Sequence, residues 1–466
     1  MLKDDVKQAL KELLAESDSV VEKTPAYSHN ATVLHGQGGL FSNSLERDVI
    51  TAHMRPFGIG NHLPLFPSTE EDPRFGSITG FSADIGSEPA TVCYDAPTNY
   101  IKGCNLTARF GLLRRDTNTI DFDKVMLTKN RGDFRDLQLR GRLLGMEGLA
   151  PGKLTDEQVL DIITKAEMVG AGVSAERKMS QYLWQGTLAS GGFPGLDVQI
   201  ATGQKDADTN ILCPALDSDI KDFNYAAIDG TVRDIVDYLS MLCYYLEHNA
   251  QGMGLDPVEW VIVMRPELWF ELSAVWPCRY MTNKCSSNNV NLPVASVIND
   301  NVNVSLRDAM RNGHFIDVNG RRYNVVEDTG IYERNSTNDA NLRPGEYASS
   351  IYVVPLTIQG NFPVTYREYL DYRQGAGDVA LLGGKEMFWT DDGIYSWAIE
   401  QIKWCYKLSL KTEQRVILRT PQLAGKIQKI KYTPLQHLRE PYPESSYFAD
   451  GGVSVRGSSW GRAVWN

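Results

Sequence analysis

A long amphipathic helix is predicted over residues 155–185. Thr155 and Gln158 supply a capping box at its start. Gly170 and Gly172 each weaken an isolated helix by about 1 kcal/mol, so packing against the rest of the protein must hold it. The apolar positions recur at intervals of three and four residues and form one buried stripe: Val159, Ile162, Ala166, Val169 and Val173.

A second amphipathic helix is predicted over about 231–250, and Gly252 marks its end. Cys243 lies on its apolar face, where it is expected to act as a small buried hydrophobe. The other apolar positions have the same helical spacing: Val232, Ile235, Leu239, Leu242 and Leu246.

Residues 253–281 have the most informative pattern in the chain. A Gly-Leu-Asp-Pro turn precedes a short apolar strand, Trp260 to Met264, and Pro266 opens a helix that Pro277 is expected to close. Because both elements are hydrophobic, they are predicted to lie inside a layered α/β core. Further along, Asn319 and Gly320 predict a hairpin turn, and residues 349–358 predict a buried strand.

The N-terminal part combines a short amphipathic helix, 2–16, with a long irregular segment, 24–90, that is rich in Gly, Pro, Asn and Ser. A structureless segment of this length fits poorly inside a compact domain. We expect it to be an extended arm that takes its hydrogen bonds from a neighbouring subunit. The alternative is a mobile N-terminal tail.

Residues 104–143 predict a long β-hairpin that turns at Asp116-Thr117-Asn118. From Asn105 to Arg142 it holds nine Lys or Arg and five Asp, a net charge of 9 − 5 = +4. We expect this cationic ribbon to contact an acidic surface of another copy, and the alternative is a solvated edge hairpin. Its candidate contact residues are Arg109, Arg114, Arg115, Lys124, Lys129 and Arg131.

A second basic stretch runs from Lys403 to Lys431, with eight Lys or Arg and one Glu, a net of 8 − 1 = +7. In an extended chain, residues four apart share a face. This basic stripe could meet an acidic neighbour, face packaged nucleic acid or remain solvated. Its members are Lys403, Lys407, Lys411, Arg415 and Arg419.

Composition limits the classes of function that remain. The 466 residues carry a net charge of −11, which disfavours a dedicated nucleic-acid binder. No apolar run approaches the ~20 residues of a membrane span, and the charged N-terminus lacks a signal peptide. The seven cysteines form no Cys-x-x-Cys motif, so reduced thiols are expected.

Candidate catalytic signals are weak. Ser459 is centred in a Gly-x-Ser-x-Gly pattern, but only seven residues follow it, too few for the helix that a nucleophile elbow requires. Asp206, Asp208 and Asn210 have calcium-loop spacing, but Ile211 stands where the loop needs glycine. The histidines form no metal-binding pair. We therefore expect no catalytic, cofactor-binding or metal site.

Five segments, taken in order, resemble the major capsid proteins of tailed bacteriophages with the Hong Kong 97-type fold. They are PRFGSITG, EPATVCYDAPTNYIKGC, NRGDFRDLQLRG, LDPVEWVIVMRPELWFELSAVWPCRY and KLSLKTEQRVILRTPQLAGKIQKIKYTPLQ, and they span roughly 70–435. The resemblance implies an α+β fold with an N-arm, an extended E-loop hairpin, a peripheral domain with a long spine helix and an axial α/β domain.

The resemblance also implies how the chain is divided. The expected regions are an N-terminal arm (1–90), an E-loop region (91–150), a first peripheral part (151–224), an axial domain (225–385), a second peripheral part (386–437) and a C-terminal tail (438–466).

By the same resemblance, copies of the chain would self-assemble into hexamers and pentamers of an icosahedral shell. The shell would enclose DNA without sequence-specific binding, with a portal and with scaffolding and decoration proteins as partners and no membrane. It would be made in the host cytoplasm and located in the virion. Some relatives form a Lys–Asn cross-link, but Lys124 and Lys129 alone do not establish that chemistry, and non-covalent assembly is expected. The alternatives are an encapsulin-like compartment shell and a cytoplasmic α/β enzyme.

Overall fold

The structure is a computed structural model. It describes residues 57–68, 74–78, 104–107, 109–116, 120–121, 156–187, 192–228, 234–282, 305–344, 346–371, 381–382, 385–389, 393–402 and 405–432. The predicted helix 2–16, Ser459 and the tail from residue 438 lie outside this set. No helix among these residues is long and apolar enough to span a bilayer.

Helices and sheets are mixed along the described chain, as the sequence predicted. The helices are α1 (Asp156–Gln185), α2 (Leu196–Gln199), α3 (Ile235–Gly252), α4 (Pro266–Thr282) and α5 (305–313), with 3-10 turns at Gly58–Asn61, Pro214–Leu216 and Pro421–Leu423. The first strands are β1 (Leu65–Ser68), β2 (Arg74–Gly76), β3 (Asn105–Thr107), β4 (Gly111–Asp116), β5 (Ile120–Asp121), β6 (Asp219–Asp222), β7 (Val258–Met264), β8 (Phe315–Val318) and β9 (Arg321–Glu327). The remaining strands are β10 (Arg334–Asn335), β11 (Tyr347–Ile358), β12 (Phe362–Pro363), β13 (Thr365–Leu370), β14 (Leu381–Leu382), β15 (Lys385–Trp389), β16 (Ser396–Ile402), β17 (Cys405–Leu418) and β18 (Gly425–Tyr432).

Two large sheets organise these strands. Sheet I has the order β1-β13-β17-β16-β15-β14, and β4 and β5 also pair with β17. Sheet II has the order β6-β18-β11-β7-β9-β8, and β10 and β12 pair with β11. Strand β7 is central in sheet II, antiparallel to β11 and parallel to β9. A separate two-stranded ribbon joins β2 to β3.

Sheet II is covered by helices on both faces, which explains why β7 is apolar at nearly every position. Trp260 and Ile262 point to the cluster that holds α3 and α4. Val261 and Val263 point to the cluster that holds the end of α1 and helix α2. The alternation of side chains along a strand therefore places β7 between two cores, as the predicted layered α/β arrangement requires.

Several local predictions are confirmed. Helix α3 ends at Gly252 as expected, but it begins at Ile235 and not at about 231, and the Asp234 carboxylate caps it by accepting a hydrogen bond from the Val236 N–H. The Asn319–Gly320 turn joins β8 to β9, and both residues have the positive φ that a type I′ turn needs. Residues 349–358 lie in the buried strand β11. Cys243 is buried, and burial raises the pKa of its thiol.

Two helix predictions are wrong in detail. Pro277 does not close α4, which continues to Thr282. Packing of Trp269, Leu272 and Trp276 into the core outweighs the backbone hydrogen bond that proline removes.

The buried stripe of α1 is also displaced from the predicted one. Ile162 is buried as expected, but Ala166, Val169 and Val173 are only half-buried. The helix packs against β4, β17 and α2 with a different set of side chains: Met168, Ala171, Ala175, Met179, Leu183 and Trp184.

The predicted arm is contradicted where it is described. Ile59 and Leu63 are buried in the chain's own core, and β1 pairs in parallel with β13. These residues therefore take their hydrogen bonds from their own subunit and not from a neighbour. Residues 1–56 lie outside the described part.

The predicted hairpin turn at Asp116-Thr117-Asn118 is also wrong. Strands β4 and β5 flank it, and both run antiparallel to β17, so the chain does not reverse direction between them. Asp116 is opposite Ser409 and Ile120 is opposite Tyr406, which leaves one extra residue on this side of the pairing. Residues 122–143 lie outside the described set.

Candidate assembly surfaces and the junctions that hold them

A buried carboxylate joins three distant segments of the chain. Asp328 follows β9 and is 1% exposed. Its Oδ2 accepts hydrogen bonds from the Ile59 N–H at 2.9 Å and from Trp184 Nε1 at 2.8 Å. Its Oδ1 accepts from Ser180 Oγ at 3.0 Å and from the Gly330 N–H at 2.7 Å. Four donors replace the water that the carboxylate loses on burial, which fastens the segment at residue 59 to α1 and to sheet II.

Gly58 makes this junction possible. Its φ is +58°, and a Cβ there would overlap the Asp328 carboxylate. Only glycine tolerates both conditions without strain. The first glycine of the FGIGN sequence at residues 57–61 is thus explained by a close approach of the backbone to a buried acid.

A second buried polar group holds the same segment to sheet I. Arg367 on β13 donates from Nη1 to the Gly60 carbonyl at 3.3 Å and from Nη2 to Gln414 Oε1 at 2.5 Å. Its backbone N–H donates to the Pro64 carbonyl at 2.8 Å. The segment that contains Gly60 and Pro64 is therefore held by both sheets. This further argues against an arm that leaves its own subunit at residues 57–68.

Tyr395 and Glu176 link sheet I to α1. The Tyr395 hydroxyl donates to the Glu176 carboxylate, and both side chains are buried. Burial and the neighbouring carboxylate raise the pKa of Tyr395 well above its ordinary value, so the phenol stays protonated. No sequence motif indicated this pair.

The β2–β3 ribbon is attached to the loop of residues 201–218. Cys104 and Cys213 form a disulfide with 6.6 Å between their Cα atoms. Asp206 Oδ1 accepts from the Asn105 N–H at 2.7 Å. Asp208 pairs with Arg74 of β2 and accepts a hydrogen bond from the Asn105 side chain of β3. The expectation of reduced thiols is therefore wrong for these two cysteines, because the fold brings together residues that are 109 positions apart.

The calcium-like spacing in this loop has a structural explanation. Asp206 Oδ2 accepts from the backbone N–H and the hydroxyl of Thr209. Hydrogen bonds from Thr209 and then from Asn105 lower the pKa of Asp206. The carboxylate shapes a turn and holds the ribbon. Among the described residues, no group of His, Cys, Asp or Glu has the arrangement of a metal site.

The candidate contact residues of the E-loop region are only partly described. Arg109 is exposed just before β4. Arg114 and Arg115 lie in β4, opposite Lys411 and Leu410 of β17. The other three fall outside the described residues: Lys124, Lys129 and Arg131.

The members of the basic stripe do not share one environment. Arg415 is buried against Glu368, directly opposite it on β13, and its guanidinium lies 4.2 Å from the centre of the Phe110 ring. Arg419 donates from Nε to the Tyr366 hydroxyl at 2.9 Å.

The rest of the stripe is less enclosed. Lys411 is part-exposed and pairs with Glu413 at 2.9 Å. Lys407 is half-buried, and Lys403 lies outside the described residues. Part of the stripe's charge is therefore neutralised within the subunit.

Among the described residues, the most exposed large apolar side chains lie at two separate places. On α3, Met241 is 65% exposed and Tyr244 is 63% exposed, and Tyr245 lies beside them. On the 201–218 loop, Ile211 is 66% exposed and Leu212 is 63% exposed. Contiguous apolar surface of this kind commonly marks a protein–protein contact. The helical spacing of i, i+3 and i+4 makes the three side chains of α3 one continuous face, which we call the α3 outer face.

The comparisons with known proteins find likeness in structure only. No protein-family model matches the chain. No curated protein sequence matches it either. Solved structures that are similar to this chain, each at 12% identity or less, include two capsids and an encapsulin.

One such structure is the cyanophage A-1(L) capsid asymmetric unit, with 12% identity, coverage of 78% of this chain and 90% of that chain, and a TM-score of 0.40. Another is the capsid of the native GTA particle, with 11% identity, coverage of 80% and 89%, and a TM-score of 0.41. The holo-SrpI encapsulin complex from Synechococcus elongatus is also similar, with 9% identity, coverage of 80% and 86%, and a TM-score of 0.37.

Proposed function

We propose that this chain is the major capsid protein of a tailed bacteriophage. Copies of it assemble into hexamers and pentamers of an icosahedral shell, and the shell encloses DNA without reading its sequence. The portal, scaffolding and decoration proteins are its partners in the virion. The protein acts by self-association and not as an enzyme.

The observation that carries this proposal is the α3 outer face. Met241, Tyr244 and Tyr245 present apolar surface on a helix whose opposite side is already buried against sheet II. Three side chains bury far less than the ~1,000 Å² that a stable pairwise interface needs. A contact this small is useful where many copies repeat it, as in a ring or a shell.

The second apolar site supports heterologous assembly. Ile211 and Leu212 belong to a loop that the Cys104–Cys213 disulfide and Asp206 hold in shape. A preformed loop loses little conformational entropy on binding. Two different apolar sites on one subunit suit contacts in which unlike surfaces meet, and such contacts close into rings.

The proposed division of the chain into regions follows its sequence resemblance to capsid proteins of the Hong Kong 97-type fold. Helix α1 is the spine of the peripheral domain, to which 386–437 returns, and 225–385 is the axial domain. Residues 91–150 provide the E-loop, 1–90 the arm and 438–466 the tail. Because residues 57–68 are bound to their own subunit, any reach of the arm to a neighbour begins before residue 57.

Assembly can be tested by charge on the α3 outer face. Purified wild-type protein is expected to form shells or capsomers tens of nanometres wide in negative-stain micrographs. Tyr244→Glu is expected to leave the subunit folded by circular dichroism but to abolish these particles, because an unpaired charge in an apolar contact costs several kcal/mol. Gln251→Glu, on the exposed side of the same helix, is the matched control and should assemble.

Some outcomes would contradict the proposal. If the wild-type protein stays a monomer or dimer under all assembly conditions, the shell function fails. If Tyr244→Glu forms normal particles, the α3 outer face is not an assembly contact. Particles purified from cells would contain DNA if the protein is a capsid protein, whereas enclosed enzymes would identify a compartment shell.

A further inference from the structure

A positively charged groove lies between α1 and β4. It has a volume of about 440 Å³, and Leu113 of β4 lines one side. On the α1 side, Arg177 and Lys178 are exposed and Tyr182 is half-buried. Within the described part of the chain, the lining includes these two cations and no carboxylate. The groove therefore favours an anionic occupant with apolar or aromatic side chains.

Lys178 is already positioned over this surface. Its Nζ lies 5.1 Å from the centre of the Tyr182 ring and 3.3 Å from Gln181 Oε1. A cation held against an aromatic face keeps its charge available to an incoming carboxylate while its stem covers apolar surface. The volume accommodates a few side chains and not a folded domain.

We propose that this groove binds an extended acidic segment and that residues 440–450 of this chain are that segment. They read EPYPESSYFAD, with three carboxylates, no Lys or Arg, and three aromatic side chains. Pro441 and Pro443 favour an extended backbone, which lowers the entropy lost on binding. Another acidic run, STEEDP at 68–73, carries the same charge but no aromatic side chain.

Cross-linking of the full-length, unassembled chain tests the contact directly. A carbodiimide, which joins carboxylates to amines, is expected to link Lys178 to Glu440, Glu444 or Asp450, as read by mass spectrometry of tryptic peptides. Lys178→Arg keeps the positive charge and should remove this link. Exclusive linkage of Lys178 to the 68–73 run, or to other acids, would overturn the assignment.

Exchanging the charges of the groove and of the acidic segment tests how much the ion pairs between them contribute to binding. With Arg177→Glu and Lys178→Glu combined, chymotrypsin should cut after Tyr447 or Phe448 roughly five- to tenfold faster, as expected for the loss of two part-exposed ion pairs. Adding Glu440→Lys and Glu444→Lys should restore protection. Arg307→Glu, at a part-exposed cation on α5, is the control and should leave the rate unchanged.

The inference fails if the double variant is cut at the wild-type rate both before and after assembly, or if the exchange does not restore protection. Protection that exists only in assembled particles would support binding by the segment of a neighbouring copy. Shell formation is scored separately by microscopy, so failure of the groove assignment and failure of the shell function give different results.

Discussion

Asp328 is a single residue that holds three distant segments of the chain together. In Asp328→Asn, one carboxylate oxygen becomes an amide that must face a donor: the Trp184 indole, Ser180 or a backbone N–H. We expect the free energy of unfolding of the subunit to fall by about 1–3 kcal/mol, the usual cost of an unsatisfied buried donor.

Urea unfolding followed by tryptophan fluorescence measures this change. Asp317→Asn is the matched control, because Asp317 is an exposed partner of Arg322 and its loss should cost under ~1 kcal/mol. Equal stability of the two variants would show that Asp328 is not a junction.

Arg415 gives a second test at the scale of the residue. Its guanidinium is buried and donates to Glu368 from Nε at 2.7 Å and from Nη2. Arg415→Leu leaves Glu368 without its cation in a largely buried site, so we expect a loss of about 3–5 kcal/mol in the free energy of unfolding. The double variant Arg415→Leu, Glu368→Leu should recover much of this loss.

The same denaturation measurement applies to the control, Lys411→Leu. That variant breaks the part-exposed pair with Glu413 and should cost about 1 kcal/mol or less. If Arg415→Leu is no more destabilising than Lys411→Leu, the pair with Glu368 is energetically unimportant.

At the scale of the element, the sequence predicted those strands, helices and turns that depend on a short run of neighbouring residues. The strand Trp260–Met264, the Pro266 helix and the Asn319–Gly320 hairpin each follow from a short run of residues, and each is found. The prediction that α4 ends at Pro277 is wrong because core packing outweighs the one hydrogen bond that proline removes. The prediction of a hairpin turn at 116–118 is wrong because pairing with β17, almost 300 positions away, determines the direction of β4 and β5.

The junctions could not be predicted for the same reason. Asp328, Arg367 and the Cys104–Cys213 disulfide depend on partners that are distant in sequence. A single polar residue at the end of an apolar strand, as in VVEDTG, is compatible with an exposed turn as well as with a buried carboxylate. Cysteine spacing likewise gives no pairing without the fold.

The Cys104–Cys213 disulfide should stabilise the attachment of the β2–β3 ribbon to the loop of residues 201–218. It closes a separation of 109 residues, so its removal by Cys104→Ser with Cys213→Ser should lower the free energy of unfolding by about 2–4 kcal/mol. Under non-reducing, denaturing conditions, the wild-type protein should bind two fewer alkylating groups than after reduction. Unchanged alkylation on reduction would show that the bond does not form.

Reducing agent provides the internal control for this pair of substitutions. Dithiothreitol should lower the stability of the wild-type protein to that of the double variant and leave the variant unchanged. Cys243 is buried with a raised thiol pKa, so it should react slowly in the folded protein under either condition.

At the scale of the whole molecule, the described residues form a body whose extended parts are largely bound to itself. The segment 57–68 is held by Asp328 and Arg367, and β4 and β5 lengthen sheet I. The proposed assembly must therefore use surfaces that stay exposed on this body. The α3 outer face and the apolar loop at Ile211 are two such surfaces.

The two arginines of β4 supply the last test. Arg114→Glu combined with Arg115→Glu is expected to leave folding intact, because Lys411 lies directly opposite Arg114 and would then face an opposite charge. Shell formation should be weakened or blocked, since a cationic surface that meets an acidic neighbour would become repulsive.

Sedimentation and negative-stain microscopy at low salt measure the loss of shell formation in this double variant. The defect should shrink as ionic strength rises, because salt screens exposed charges. Normal assembly of the folded double variant would remove electrostatics from the account of how subunits meet.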